Sequence, residues 1–150
     1  MADVSNLARK LGITPGCSVL LLDALAPSAA LLREACPPGV SLAEAEWADV
    51  GAESYDLIFL WPRTIAGLAA KFAALQWRIA PDGAIWVVLL KKPIARKRGV
   101  ALTWEETQAA ALQTDLVDNK IASFSGEEYG TRFVIRRERR SAYVRAPTAR

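Results

Sequence analysis

Three near-continuous apolar runs set the narrowest limits on how this chain folds: residues 17–22 (CSVLLL), 55–61 (YDLIFLW) and 84–90 (AIWVVLL). A strand with one face in water alternates apolar and polar residues, whereas a strand covered on both faces is apolar along its length. The three runs therefore describe the interior of a parallel sheet with helices on both sides. All are of strand length, far short of the ~20 residues that cross a bilayer. At 150 residues and 52% hydrophobic content, the chain can fill one such core.

Helical spacing occupies the intervals. Residues 3–12 read as a short helix, with Asp3 as N-cap, Val4, Leu7 and Leu11 on one face, and Gly12 as its end. Residues 27–36 form a second helix, opened by Pro27 or Ser28 and stopped by CPPG. Ile65, Leu68, Phe72, Leu75 and Ile79 recur at spacings of 3 and 4, which predicts a helix from a Thr64 cap to the APDG turn. Thr103 and Glu106 form a capping box for a helix to about Gln113.

The segment VSLAEAEW is a weak edge strand, and KKPIARKRG at 91–99 reads as a basic loop. VDNKIASF and TRFVIRRE, joined by SGEEYG, form an antiparallel pair at the end. Residues 1–140 make a single domain, and 141–150 read as a frayed basic tail. Strands separated by helices pair in parallel through right-handed crossovers. The expected architecture is a three-layer α/β sandwich, Rossmann-like, with a mostly parallel sheet and a C-terminal antiparallel hairpin.

Composition excludes several chemistries. With no histidine, the Ser-His-Asp and Cys-His arrangements are absent. Cys17 and Cys36 form no CxxC pattern and are read as thiols in a reducing, cytoplasmic setting. The first twelve residues lack the apolar core of a signal peptide. Charge is uneven: residues 1–90 carry six Lys/Arg and nine Asp/Glu, and residues 91–150 carry thirteen and seven.

In such a sheet a ligand sits beyond the C-terminal strand ends, near the point where strand order reverses. Asp23, Trp61, Pro62, Arg63, Lys91 and Lys92 are expected there. They suit a small anionic, aromatic or nucleotide-like molecule, with Trp61 as the stacking surface and Lys91 or Lys92 as counter-charge. The alternative is structural: Asp23 caps the following helix, Trp61 packs in the core and the lysines are solvated.

In order along nearly the whole chain, GITPGCSVLLLDA, YDLIFLW, LQWRIAPDGAIWVVL, TWEETQAAALQTDLVDNKIASF and GTRFVIRRE resemble segments of the class I S-adenosylmethionine-dependent methyltransferase fold. More narrowly, KLGITPG, PDGAIWVVLLKKP and RFVIRRE are similar to a short bacterial family of methyltransferase-like domains with no assigned function. The methyltransferase resemblance implies a glycine-rich turn after the first strand, where the backbone touches the cofactor. Here that turn is Asp23-Ala24-Leu25-Ala26-Pro27-Ser28, with a Cβ at every position. It also implies an acidic residue at the end of the second strand, for which Glu44 and Glu46 are candidates, and an adenine-reading loop that is short in this chain. On this basis the expectation is a non-catalytic binding or interaction module with no cofactor. A divergent S-adenosylmethionine-dependent methyltransferase is the alternative.

A second alternative is nucleic-acid binding. Lys91, Lys92, Arg96, Lys97 and Arg98 place five positive charges in eight residues, and Arg132, Arg136, Arg137, Arg139 and Arg140 could extend them into one basic surface. Trp104 or Tyr143 would then stack on bases. Trp77 falls off the apolar stripe of its helix and is a candidate contact for a homodimer, the other expected state being a monomer. Glu105-Glu106 and Glu127-Glu128 are adjacent pairs and read as capping and turn residues, not as an acid/base couple.

Overall fold

The computed structural model describes residues 4–143. β1 (Ser18–Leu22) is buried at every position and lies inside a six-stranded sheet. It pairs in parallel with β2 (Ser41–Ala45) on one side and β3 (Tyr55–Leu60) on the other. β3 pairs in parallel with β4 (Ile79–Leu90). β6 (Glu128–Ile135) then runs antiparallel to β4, and β5 (Leu116–Ser123) antiparallel to β6. The strand order is β2-β1-β3-β4-β6-β5, so the closing hairpin inserts its second strand against the parallel part.

Helices α1 (Val4–Leu11) and α2 (Ala26–Ala35) cover one face. Their Leu7, Leu11, Ala29 and Leu32 pack on Val19, Leu21, Phe59 and Trp86. Helices α3 (Leu68–Leu75) and α5 (Trp104–Leu112) cover the other, with Leu68, Phe72, Leu75 and Ala111 against Leu20, Ile58, Val87 and Phe133. This is the three-layer α/β sandwich expected from the apolar runs. Buried Trp86 ties two layers together, its indole N–H donating to the Leu11 carbonyl at 3.0 Å. Among the described residues no helix is long and apolar enough to cross a membrane.

The capping box on α5 forms as read, with Thr103 Oγ1 accepting from the Glu106 N–H and the Glu106 carboxylate accepting from the Thr103 N–H. Other boundaries differ. The helix expected over 64–79 is only α3, because Gly67 takes a left-handed conformation just before it, leaving Ile65 exposed. Ile79 belongs to β4, aligned with Tyr55. The APDG segment therefore lies within an irregular stretch of strand: from Tyr55 to Leu57 on β3, the paired residues on β4 go from Ile79 to Ala84. The basic segment read as a loop is instead a helix, α4 (Lys92–Arg98), with Pro93 in its first turn and left-handed Gly99 closing it. Asp3, read as an N-cap, lies outside the described residues.

The ordered chain also passes residue 140. A 3-10 turn, Arg137–Ala142, delivers Tyr143 into the structure. Its ring lies 4.1 Å from that of Trp77, centroid to centroid, and its hydroxyl donates to Asp115 Oδ2 at 2.7 Å. Half-exposed Trp77 thus meets the chain's own C-terminal segment.

Gly83 marks the tightest point of the β3–β4 irregularity, where a Cβ would come within 2.5 Å of the Asp56 carbonyl oxygen. Gly83→Ala should lower stability by about 1–3 kcal/mol, read by urea denaturation; an unchanged midpoint would mean that this backbone approach is soft.

Candidate functional site

Polar groups collect beyond the C-terminal ends of β1–β4. The turn after β1 contains the only described non-glycine residue with positive φ, Asp23 at 59°. Aspartate tolerates this region better than most residues. Its N–H donates to the Ala45 carbonyl, and its Oδ1 accepts from the Trp47 N–H at 3.0 Å. Asp23 therefore does not cap α2, which lacks any side-chain cap and starts from Leu25 with Pro27 in its first turn. The side chain instead pulls the loop after β2, with its 3-10 turn Trp47–Asp49, against the end of β1.

A cleft of about 760 Å³ opens between these loops. Asp23, Glu44, Glu46 and Asp49 contribute carboxylates to its wall, and Arg63 contributes the one guanidinium. Glu44 lies in β2 opposite Leu21 and pairs with Arg33 of α2. Glu46 is exposed, one residue beyond β2. The weak edge strand does form, which fixes the register of these two acids.

A second cavity of about 240 Å³ lies beside the cleft, with Arg63 lining both. Leu25, Pro62, Val88, Leu89, Val100 and Leu102 make it apolar. Besides Arg63 and Arg98, two buried polar groups are built into its wall. Trp61 is 4% exposed, and its indole N–H makes no hydrogen bond. Glu128 is 6% exposed, and its Oε1 accepts from the Ser28 hydroxyl at 2.7 Å. Glu128 also lines a third hollow, of about 350 Å³, at the start of α2.

Burial raises the Glu128 carboxyl above its ordinary value of 4.5. The Ser28 hydrogen bond and the nearby Trp61 indole oppose that rise, Glu127 adds to it, and Arg98 opposes it. The indole is close enough to favour the ionised acid, though outside hydrogen-bonding geometry.

The structure brings together some of the residues singled out from sequence and separates others. Asp23 and Arg63 share the acidic cleft, while Trp61 and Arg63 share the apolar chamber. Trp61 packs with Phe59 and edge-on to Phe124, so it is a core residue that also forms a cavity wall. Lys91 turns toward β5, donating from Nζ to Ser123 Oγ at 3.2 Å, and Lys92 is exposed at the start of α4.

The continuous basic surface is not formed. Lys91, Lys92, Arg96, Lys97 and Arg98 lie near the start of β6, whereas Arg136, Arg137, Arg139 and Arg140 follow its far end. Arg98 pairs with Glu127 at 2.7 Å and Arg139 with Asp115 at 3.3 Å. Neither stacking candidate is free: Tyr143 is buried, and the Trp104 indole donates to Thr131 Oγ1.

Glu128 is the residue that sequence reasoning passed over by assigning it to a turn. Strand alternation carries the missing signal. Counting back from Val134, which faces α1 and α2, every second residue reaches Glu128 and points it at the same layer.

The whole fold has many structural counterparts. The chain is similar to an S-adenosylmethionine-dependent methyltransferase from Aquifex aeolicus, with a TM-score of 0.64, 12% identity and 89% of each chain covered. It is also similar to the pyocyanin biosynthetic protein PhzM, with a TM-score of 0.65 and 14% identity over 87% of this chain and 53% of that one. A TehB-like methyltransferase from Corynebacterium glutamicum gives 0.57 and 11% over 89% and 87%. No protein-family model and no curated protein matches the sequence. The chain has the class I methyltransferase-like fold.

Two outcomes follow for this site. A carboxyl with a raised folded pKa favours the fold below its unfolded value, and that contribution is lost as pH climbs through the folded value. Glu128→Gln should therefore gain stability relative to the parent between pH 4 and pH 8, measured by urea denaturation at both; a pH-independent difference would contradict a desolvated acid. Asp23→Ala should cost about 1–3 kcal/mol, from strain at positive φ and the lost Trp47 contact, whereas Asp23→Asn should cost less.

Proposed function

We propose that this chain is a divergent S-adenosylmethionine-dependent methyltransferase acting on a small molecule. The observation that carries the reading is the pair of adjoining cavities at the strand ends, one acidic and one apolar, with Arg63 on the wall of both. A group-transfer enzyme needs donor and acceptor side by side. A fold shared with known methyltransferases supports the assignment of the larger cleft to the donor.

The residues in that cleft fit the cofactor. S-adenosylmethionine carries a sulfonium and an ammonium, which the surrounding carboxylates complement, and a ribose diol that donates hydrogen bonds to an acid such as Glu46. Arg63 supplies a cation for its carboxylate. The absence of glycine after β1 bears on how closely the ligand approaches. A turn with a Cβ at every position keeps the molecule farther from the backbone, and the acids outside the turn take over its recognition.

When bound, the cofactor supplies an electrophilic methyl group. The chain's own residues contribute position and environment: Asp23 holds the loop that carries Asp49, Arg63 lines both cavities, and the aliphatic side chains of the smaller one offer an apolar surface to a second ligand. The sequence-based expectation of a module without catalysis rests on side-chain bulk in the turn. The cleft beside that turn weakens this argument, because it remains large enough for a ligand.

Calorimetric titration tests the reading. S-adenosylmethionine and its demethylated product should both bind, and Glu46→Gln should weaken each by roughly tenfold through loss of a charged hydrogen-bond acceptor. Added salt should weaken the cationic cofactor more than the product, because the lining carries an excess of negative charge. Absence of heat for both at near-millimolar concentration would overturn it.

A further inference from the structure

The acidic cleft leaves the apolar chamber unexplained, and the chamber has its own recognition chemistry. Its volume is about 240 Å³. An apolar cavity of about 150 Å³ admits a benzene ring, so this one has room for a one- or two-ring molecule. Most of its wall is aliphatic, from Leu25, Val88, Leu89, Val100 and Leu102.

Four polar side chains join that wall: Arg63, Arg98, which is paired with Glu127, and the two buried groups, the Trp61 indole and the Glu128 carboxyl. Trp61 lines the chamber, and its indole N–H is buried beside the Glu128 carboxyl without making a hydrogen bond of its own. An unsatisfied buried donor carries a desolvation cost that a bound partner removes. Close by is the Glu128 carboxyl, held from behind by Ser28 Oγ at 2.7 Å. Backbone contacts fix this acid in place: the Glu128 N–H donates to Ser125 Oγ, and its carbonyl accepts from the N–H groups of Phe124 and Ser125.

A single hydroxyl satisfies both groups, since its oxygen accepts from the indole while its proton goes to the carboxylate. An ether oxygen satisfies only the first, and a hydrocarbon neither. We propose that the chamber is the acceptor site and takes a small aromatic alcohol, its hydroxyl held between Trp61 Nε1 and Glu128. This assignment of an acceptor rests on the methyltransferase reading; the chamber's preference for the hydroxyl does not. In the transfer itself, the hydroxyl oxygen forms the new bond to carbon, the donor's sulfur–carbon bond breaks with its electron pair remaining on sulfur, and the hydroxyl proton passes to the Glu128 carboxylate.

The test uses the full chain without cofactor, labelled with nitrogen-15, and three probes: 2-naphthol, 2-methoxynaphthalene and naphthalene. The Trp61 indole resonance, assigned by its loss in Trp61→Phe, should shift with 2-naphthol. That probe should bind about tenfold more tightly than 2-methoxynaphthalene, the difference expected for one hydrogen bond to a charged acceptor. Glu128→Gln should narrow the gap. Equal binding of naphthol and its methyl ether to the parent protein, or an unmoved Trp61 resonance at saturation, would overturn the proposal. Because the comparison of probes needs no variant and no cofactor, its result is separable from whether S-adenosylmethionine binds the acidic cleft. A positive result there, with naphthol methylation lost in Glu128→Gln at unchanged cofactor affinity, would further support the role of Glu128 in the transfer.

Discussion

A strand that is apolar along nearly its whole length has no face to give to water, and β1, β3 and much of β4 lie side by side as such strands. Helices must cover both of their faces, and the two packed clusters above and below the sheet are the result. Once both faces are closed, polar chemistry is confined to the strand ends. The connections at the C-terminal ends carry Asp23, Glu46, Asp49, Trp61 and Arg63, which is why both cavities are found there.

The two cavities differ because different layers build them. The acidic cleft is bounded by the loops after β1 and β2, at the edge of the sheet where exposed acids remain hydrated. The chamber lies over the ends of β3 and β4, between the start of α2 and α4, where the Glu128 acid is buried and held at an energetic cost. Arg63, on the loop after β3, belongs to both settings. Asp23 links them to the fold: its left-handed backbone turns the chain toward α2 while its carboxylate holds the neighbouring loop. An aspartate thus occupies a conformation that glycine would adopt with less strain, adding a side-chain contact that glycine lacks.

Much of this was legible from residue patterns. The apolar runs located the central strands, and the Thr103/Glu106 box located the start of α5, because burial on both faces and reciprocal capping leave local signatures. The length of α3 was not legible in the same way. Ile65 and Ile79 continue its apolar spacing, yet left-handed Gly67 cuts the helix on one side and pairing with β3 claims Ile79 on the other. The segment at 91–99 was misjudged because its charges outweighed Pro93 and Gly99, which mark the limits of a helix. At the strand ends, the positions of Trp61 and Arg63 followed from topology. Glu128 did not, since its partner, Ser28, lies a hundred residues away and only the assembled sheet brings them together.

That distance bears on when the chain becomes complete. β6 occupies an interior position, between β4 and β5, although it comes last in chain order among the described strands. Until it arrives, the outer edge of β4 has no neighbour, Ser28 lacks its acceptor, and the small cavity is missing its acid. A growing chain that ends between residues 123 and 128 would therefore contain the first five strands without the acid of the small cavity, so completion of that cavity and closure of the sheet are reached in a single step of assembly.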